Sequence, residues 1–363
     1  MPLQIANHQT SIFKSAASLW SAAVRRRFVS LCSKFELVFM WQTQKLKKRR
    51  RAAALQRVAT SQLGSSDGTV GATNEINSQM GQVAGKKLLR YPSQTPDQRK
   101  EILSLLNFAV QTARDAGRIL ADRLGRALQV SNKGDIDLVT EADLASERLI
   151  IDRIKSHYPR HSILAEESGE TDGVEFIPGK SEWKWIIDPL DGTTNYAHGY
   201  PCFCVSIGLE REGKLELGVI YDPMRDEVFA AERGGGATLN ERPIRVSTID
   251  DLNAAMLCTG FPYNVRERPD FTRQFANFTM AAQAVRRDGS ASLDLAYLAC
   301  GRFDGFWEEG LRPWDIAAGA LLVEEAGGLV TDYKGQPLDL YNPLTLASNG
   351  LVHDAMISVL AAG

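Results

Sequence analysis

Apolar residues recur at intervals of three and four over residues 99–125, and this spacing predicts an α-helix with one buried face. A second helix is predicted after Thr140, because Thr140 and Asp143 have the spacing of a capping box. Apolar positions continue at helical intervals until Pro159, which cannot donate the N–H that a helix interior needs. We therefore place the start of the folded part of the chain near Pro96.

Between residues 183 and 250 the pattern changes to short apolar runs separated by turn residues. Strands are predicted at 185–188, 202–211, 215–221 and 228–232. Turns at 212–213 and 223–226 join them into an antiparallel meander. Farther along, helices are predicted at 270–285, 290–300, 314–326 and the C-terminus, and strands at 303–307, 329–331 and 344–348. An antiparallel-sheet half followed by an alternating α/β half predicts layers of helices and sheets, with a site where the halves meet.

The two ends of the chain differ in charge. Residues 1–100 carry 17 basic and 4 acidic side chains out of 42 and 44 in the whole chain, so the remainder carries 25 and 40. Basic runs and a Ser-, Gly- and Asn-rich stretch at 58–85 predict a disordered extension over residues 1–95, since this composition cannot offset the entropy of ordering. Residues 11–43 could instead form an amphipathic targeting helix. A cytoplasmic location is expected, with an organelle as the alternative.

Other features of composition exclude some classes of protein. No run of 18 apolar residues occurs, so no transmembrane helix is expected. Five Cys at irregular spacing argue against a disulfide framework. The histidines at 157, 161 and 198 lack the spacing of a zinc site, and Cys202 and Cys204 are expected to be buried. Gly234-Gly-Gly236 is interpreted as a hairpin loop because no helix follows it.

The chemistry is concentrated where the strand at 185–188 ends. Asp188 and Asp191 flank a Pro-Leu pair, and Gly192, Thr193 and Thr194 then open a predicted helix. Two carboxylates on one turn can hold hard cations, and a helix N-terminus can hold a phosphate. Together they indicate metal-assisted phosphoryl chemistry, whereas an isolated turn of this kind would be read as an Asx-turn.

Two further acids end other elements of the predicted fold. Glu166 follows a short strand at 163–165, and Asp315 opens the helix at 314–326. Each alone has an ordinary explanation, because Asp near a helix N-terminus complements the dipole by about 0.3–1 kcal/mol. Four clustered carboxylates would repel by about 4 kcal/mol for a pair 4 Å apart, and cations remove that cost.

Three segments together resemble a known family. They are Glu166-Glu167-Ser168, residues 188–196 and residues 314–319, with Glu325-Ala-Gly-Gly328 behind. In this order they resemble the inositol monophosphatase family over roughly residues 97–362. The resemblance implies an αβαβα layered sandwich, a homodimer, dependence on Mg²⁺ and inhibition by Li⁺.

The resemblance also implies roles for particular residues. Its implied metal ligands are Glu166, Asp188, the Leu190 carbonyl, Asp191 and Asp315. Glu166, Thr193 and Asp143 are implied as catalytic, the last two by positioning and deprotonating the attacking water. Gly192 and Thr193 would hold the phosphate, and Gly289, Ser290, Ala291 and Glu308 would face the sugar alcohol. The role of Lys133 stays open because its spacing to Asp143 is one residue off the family pattern, and the loop within 166–188 leaves substrate access open.

The expected activity is Mg²⁺-dependent hydrolysis of inositol monophosphate, a small-molecule phosphate monoester. Alternatives in the same superfamily are fructose-1,6-bisphosphatase, histidinol-phosphatase and nucleotide 3′-phosphatase activity. A different class is an RNA- or transcription-associated scaffold, in which the basic extension would bind nucleic acid through its phosphates. Arg286 and Arg287 could face substrate, solvent or a second subunit.

Overall fold

The computed structural model describes residues 96–125, 130–132, 138–173, 182–262, 269–341 and 344–362. Within these ranges the helices are α1 Pro96–Arg123, α2 Glu141–His157, α3 Thr193–Ala197, α4 Pro269–Ala281, α5 Ala291–Ala299, α6 Pro313–Glu325 and α7 His353–Ala361. The strands are β1 Val130–Asn132, β2 Leu138–Thr140, β3 Ser162–Ala165, β4 Gly169–Thr171, β5 Trp183–Asp191, β6 Cys204–Arg211, β7 Lys214–Asp222, β8 Glu227–Glu232, β9 Gly236–Leu239, β10 Arg242–Pro243, β11 Met256–Thr259, β12 Ala284–Arg286, β13 Gly305–Glu309, β14 Leu329–Thr331 and β15 Leu344–Ser348.

Two large sheets organise these elements. The first has eight strands in the order β10-β9-β8-β7-β6-β5-β3-β4, and it is antiparallel except where β3 runs parallel to β5. The second has the order β12-β11-β13-β15-β14, with β11 parallel to both neighbours and β15 antiparallel to its own. The predicted meander is therefore the centre of the first sheet, and the alternating half builds the second.

Adjacent residues on the strands show how the layers stack, since successive side chains point to opposite faces. On β5, Trp185 and Ile187 pack in one core with α1 and α2, whereas Ile186 packs in another with α5 and α6. On β13, Phe306 faces α5 and α6, and Trp307 faces α4 and α7. The order is helices, sheet, helices, sheet, helices, which confirms the predicted αβαβα sandwich.

The helix predicted at 270–285 is wrong at its end. The helix stops at Ala281, and Ala284–Arg286 form β12, which pairs in parallel with β11. Neither β11 nor β12 was predicted. Both are three or four residues long and draw their stability from pairing partners distant in sequence, so local alternation carries little signal for them.

The strand predicted to end at Asp188 continues to Asp191. Asp188 pairs with Ser206 and Asp191 with Cys204, so three steps on β5 face two steps on β6. This is the geometry of a β-bulge, which tolerates a proline that cannot donate to the ladder. Pro189 therefore bends the strand and does not terminate it.

Several predictions lie outside the described residues. They are the extension over residues 1–95, Lys133, and the part of the 166–188 loop at 174–181. In the ranges that are described, no helix combines the length and the apolar character needed to cross a membrane.

Candidate active site

The β5–α3 turn carries the first two acids of the site. Asp188 is 2% exposed and its Oδ1 accepts from the Leu190 N–H at 2.9 Å. Gly192 follows with φ +97°, and a Cβ there would lie 2.8 Å from the Cys202 carbonyl oxygen. Only glycine meets both demands, which explains its place between Asp191 and Thr193.

Asp191 joins the two halves of the fold. Its Oδ2 accepts from Ser290 Oγ and from the Ser292 N–H, both at 2.7 Å, at the start of α5. The Ser292 hydroxyl in turn donates to the Asp315 carbonyl oxygen at 2.9 Å. The N-terminus of α5, which belongs to the other half of the fold, therefore holds Asp191 in place. The partial positive charge of a helix N-terminus stabilises an anion there.

A threonine and an aspartate form a second group beside the turn. Thr193 Oγ1 lies 3.0 Å from both Asp143 Oδ1 and the Leu190 carbonyl oxygen, and its single proton can serve one of them at a time. Asp143 is held by the predicted capping box, since its Oδ2 accepts from the Thr140 N–H at 2.9 Å. Burial raises the pKa of Asp143, and the hydrogen bonds from Thr140 and Thr193 oppose that rise.

The remaining acids come from separate elements. Asp315 lies in the first turn of α6, where its Oδ2 accepts from the Arg312 N–H at 2.6 Å. Glu308 is on β13, and a Cβ on the neighbouring Gly260 would lie 1.9 Å from Glu308 Oε1. Gly260 therefore makes the space that the Glu308 carboxyl occupies. Glu166 follows β3, and its backbone N–H donates to the Ile187 carbonyl oxygen of β5 at 3.2 Å.

A cavity of about 620 Å³ brings the predicted residues together. Those that line it are Glu166, Asp188, Leu190, Asp191, Gly192, Thr193, Gly289, Ser290, Ala291, Glu308 and Asp315. Asp143 does not line it and reaches the site through Thr193. Among the described residues, seven acidic and two basic side chains line the wall, so the cavity favours cations.

The acids raise one another's pKa. Burial is the main cause for Asp188, whose pKa is well above its usual range, and Glu166, Asp191 and Asp315 add to it. Burial and then Asp191 raise the pKa of Asp315 to about 7. Carboxyls this close and this dry are costly as anions unless a cation joins them.

The donor set fits a hard divalent cation. It consists of carboxylate oxygens and a backbone carbonyl, which Mg²⁺ prefers over nitrogen or sulfur ligands. In the described part of the chain, however, no three His, Cys, Asp or Glu side chains already stand as a metal-binding group. The Asp188 side chain lowers the pKa of Asp315 in part, and a cation shared by the two carboxylates would lower both pKa values further.

Three residues that contribute to the site have no firm assignment from the sequence. Arg287 lines it, with its guanidinium 5.5 Å from the Phe261 ring centre, and Asp294 lines it from α5. A charged residue inside the apolar run 291–299 was the available signal for Asp294. No local signal marked Ser292, whose role depends on an N–H at a helix start.

The two cysteines and the glycine loop are placed as predicted. Cys202 and Cys204 are buried, and burial raises the pKa of Cys202 to about 12, so neither is poised as a thiolate. His161 accepts a hydrogen bond from Trp185 Nε1, and burial lowers its pKa to about 4. Gly234 and Gly236 form a turn between β8 and β9 whose N–H groups bind the Glu325 carboxylate at 2.9 and 3.0 Å.

The αβαβα sandwich and an acid-lined cavity where its halves meet define a phosphatase. The chain belongs to the Inositol monophosphatase family, which it matches over residues 101–362. It is 46% identical over 264 residues to the inositol-1-monophosphatase of Synechocystis sp., covering 72% of this chain and 90% of that protein. It is equally similar, 46% over 261 residues, to the Nus factor SuhB of Escherichia coli (strain K12), covering 70% of this chain and 94% of that protein.

A solved structure agrees with these relatives. The inositol monophosphatase from Anabaena (Nostoc) sp. superposes with a TM-score of 0.65 at 48% identity. The match covers 72% of this chain and 97% of that chain.

Proposed function

We propose that this phosphatase hydrolyses inositol monophosphate to inositol and phosphate with the help of Mg²⁺. The observation that carries the proposal is one cavity in which buried Asp188 and Asp191 meet Asp315, Thr193 and Glu308. Dependence on Mg²⁺ is general in the family, and the name of the Synechocystis relative supports the substrate.

The residues that would hold Mg²⁺ are Glu166, Asp188, the Leu190 carbonyl, Asp191 and Asp315. Bound there, the metal would supply a water of lowered pKa and stabilise the charge of the leaving alkoxide. The protein's part is orientation, because Asp191 is fixed through Ser290 and Ser292.

Thr193 and Asp143 would handle the proton of the attacking water. The Thr193 hydroxyl donates to Asp143 at 3.0 Å, which leaves its oxygen able to accept from a water. The raised pKa of Asp143 favours taking up a proton in this relay. Glu166, which follows β3 and lines the same cavity, would help to orient this water.

The phosphate and the alcohol would occupy neighbouring parts of the cavity. The N–H groups of Gly192 and Thr193 would bind phosphate oxygens. Gly289, Ser290 and Ala291 would face the sugar alcohol, and Glu308 would accept from one of its hydroxyls. Asn195 supports this arrangement, since its Nδ2 donates to the Asp288 and Gly289 carbonyls at 2.8 and 3.2 Å.

Phosphate release from a substrate panel tests the activity. We expect inositol 1-phosphate to be hydrolysed faster than fructose 1,6-bisphosphate, histidinol phosphate or a nucleotide 3′-phosphate, and EDTA to abolish release until Mg²⁺ is restored. Faster hydrolysis of another member of the panel would show that inositol 1-phosphate is not the preferred substrate, although the protein would still be a phosphatase. Mg²⁺-independent turnover would overturn the metal assignment.

Glu308→Gln tests the alcohol side of the cavity. A buried acceptor aimed at a hydroxyl leaves an unpaired group when the hydroxyl is absent, at about 1–3 kcal/mol. The variant should therefore impair turnover of inositol 1-phosphate more than that of glycerol 2-phosphate. Equal losses on both would count against this role.

The relatives named Nus factor SuhB favour a second, transcription-associated role, in which the basic residues 1–95 would bind RNA through its phosphates. Binding through phosphates should weaken steeply as salt rises and should be lost when residues 1–95 are deleted. RNA binding that ignores salt would argue against it. We also propose a cytoplasmic homodimer, which sedimentation and fractionation would check.

A further inference from the structure

Asp294 is a buried acid that the proposed mechanism does not use. It lies in the first turn of α5, within a helix built mainly of apolar residues, and it is 1% exposed. Its N–H is already bound to the Ser290 carbonyl oxygen at 3.0 Å. Among the residues that the structure describes, its Oδ1 has no hydrogen-bond partner. An unpaired buried oxygen lowers stability, so packing alone does not explain an acid here.

The cavity is the place where a partner for Asp294 can come from. Asp294 lines it together with Glu308 and Arg287, which come from the second half of the fold, whereas the β5–α3 turn comes from the first half. Burial, and then the charges of Asp288 and Glu308, raise the pKa of Asp294 well above its usual range. Arg287 lowers the pKa of both Asp294 and Glu308, so one guanidinium stands near the two acids.

We propose that Asp294 is a further specificity-determining residue, which hydrogen-bonds a hydroxyl of the leaving alcohol directly or through one bound water. The inference rests on the proposed function, since it needs a polyol in this cavity. The carboxyl groups of Asp294 and Glu308, near the Arg287 guanidinium, present several oxygens that can accept hydrogen bonds from hydroxyls. A polyol with hydroxyls on adjacent carbons can donate to both carboxyl groups at once. A phosphate ester without such hydroxyls would leave Asp294 as it is in the free protein.

The test compares Asp294→Ala with Asp294→Asn on two substrates. For inositol 1-phosphate, Asp294→Ala should raise KM about tenfold, equivalent to about 1.4 kcal/mol, with a smaller change in kcat. For glycerol 2-phosphate both constants should stay within about twofold of wild type. Asp294→Asn keeps a hydrogen-bonding group of the same shape and should recover most of the lost affinity. Inhibition by free inositol should weaken in parallel with the rise in KM.

Asp226→Asn is the control, because it removes the charge of an acid in the β7–β8 turn that is 73% exposed and does not line the cavity. It should leave the ratio of the two substrates unchanged. Thermal unfolding distinguishes a role in substrate binding from a role in stability. Because the Asp294 carboxyl has an unpaired buried oxygen, Asp294→Asn should not have a lower melting temperature than wild type.

Each alternative result is decisive. Equal losses on both substrates, or a lowered melting temperature that accompanies them, would make Asp294 a structural residue and overturn the inference. Unchanged kinetics for inositol 1-phosphate in Asp294→Ala would also overturn it. If wild type hydrolyses neither substrate, the proposed function itself fails and takes this inference with it, and that result is visible before any variant is measured.

Discussion

At the scale of single residues, Asp191 is the acid whose surroundings are most fully defined. Asp191→Asn keeps an oxygen that can accept from Ser290 and Ser292, so the fold should be retained. It removes the negative charge that a bound cation would need. Loss of a residue that only supports a metal ligand commonly lowers metal affinity or activity by about 10–100-fold. Because Asp191 is a proposed ligand itself, we expect kcat to fall by about 100-fold or more. Phosphate release at saturating Mg²⁺ measures this.

Asp226→Asn is the control for Asp191→Asn. Asp226 lies in the β7–β8 turn, paired with Arg114 at 2.7 Å and 73% exposed, and such surface pairs contribute little. Its activity should match wild type. Turnover of Asp191→Asn close to wild type at saturating Mg²⁺ would rule Asp191 out as an essential ligand.

Which site residues were predictable depended on whether a local pattern marked them. Asp188, Asp191 and Gly192 stand in one turn, and a strand followed by a glycine and two threonines predicts such a turn. Arg287 is marked by nothing local, and the one signal for Asp294 is a charge inside an apolar run, which does not reveal a function. The function of both depends on a cavity that forms only when α5 and β13 pack. Long-range packing is therefore what limited prediction of the alcohol side.

At the scale of elements, α6 is positioned by its close approach to the first sheet. A Cβ on Gly218 of β7 would lie 2.7 Å from the Ala318 carbonyl oxygen and 2.8 Å from Ala318 Cα. Backbone atoms cannot move aside cheaply, so Gly218→Ala should destabilise the fold by about 1–3 kcal/mol. Because Asp315 opens α6, the shift should lower activity as well. Chemical denaturation and phosphate release measure the two effects.

Gly208→Ala is the matched variant on the neighbouring strand β6. Its added Cβ would lie 3.0 Å from the Ala317 Cβ and 3.5 Å from the Ala318 nitrogen, a smaller overlap than the one at Gly218. Its cost should therefore be smaller than that of Gly218→Ala. If both variants unfold at the wild-type denaturant concentration, α6 is not held against the sheet as closely as described.

The elements also show how far periodicity reaches. The strands from β5 to β8 and the helices α1, α2, α5 and α6 follow from alternation, helical spacing and caps. The strand β5 was predicted to end three residues too early because a proline argues against a strand, and a bulge removes that objection. Short strands such as β11 and β12 are selected by partners far away in sequence, which no local window contains.

At the scale of the whole molecule, the buried acids predict how stability depends on pH and metal. The pKa of Asp315 rises from 3.8 unfolded to about 7 folded, and those of Asp188 and Glu308 rise as well. A raised pKa contributes stability that is complete below the unfolded value and is lost as the pH rises through the folded one. Without metal, the melting temperature should therefore fall between pH 4 and pH 8.

Mg²⁺ should reverse this trend. It binds the ionised form, so its stabilisation should be larger at pH 8 than at pH 5, and about 2.7 kcal/mol at 100 times its Kd. Thermal unfolding with and without Mg²⁺ at both pH values measures the difference. K⁺ at equal ionic strength is the control for screening, and an equal shift with K⁺ would show that no specific cation site is involved.

The basic extension provides the last prediction. Residues 1–95 supply none of the residues assigned to the cavity, and the family match begins at residue 101. Their charge is opposite to that of the remainder, but attraction between exposed charges is screened over about 8 Å at physiological salt, so it should contribute little to stability. A chain that starts near Leu88 should therefore unfold at the same denaturant concentration as the full chain and hydrolyse inositol 1-phosphate at the same rate. A truncated chain that is insoluble or inactive, while the full chain works, would show that residues 1–95 pack on the catalytic domain and that the boundary near Pro96 is wrong.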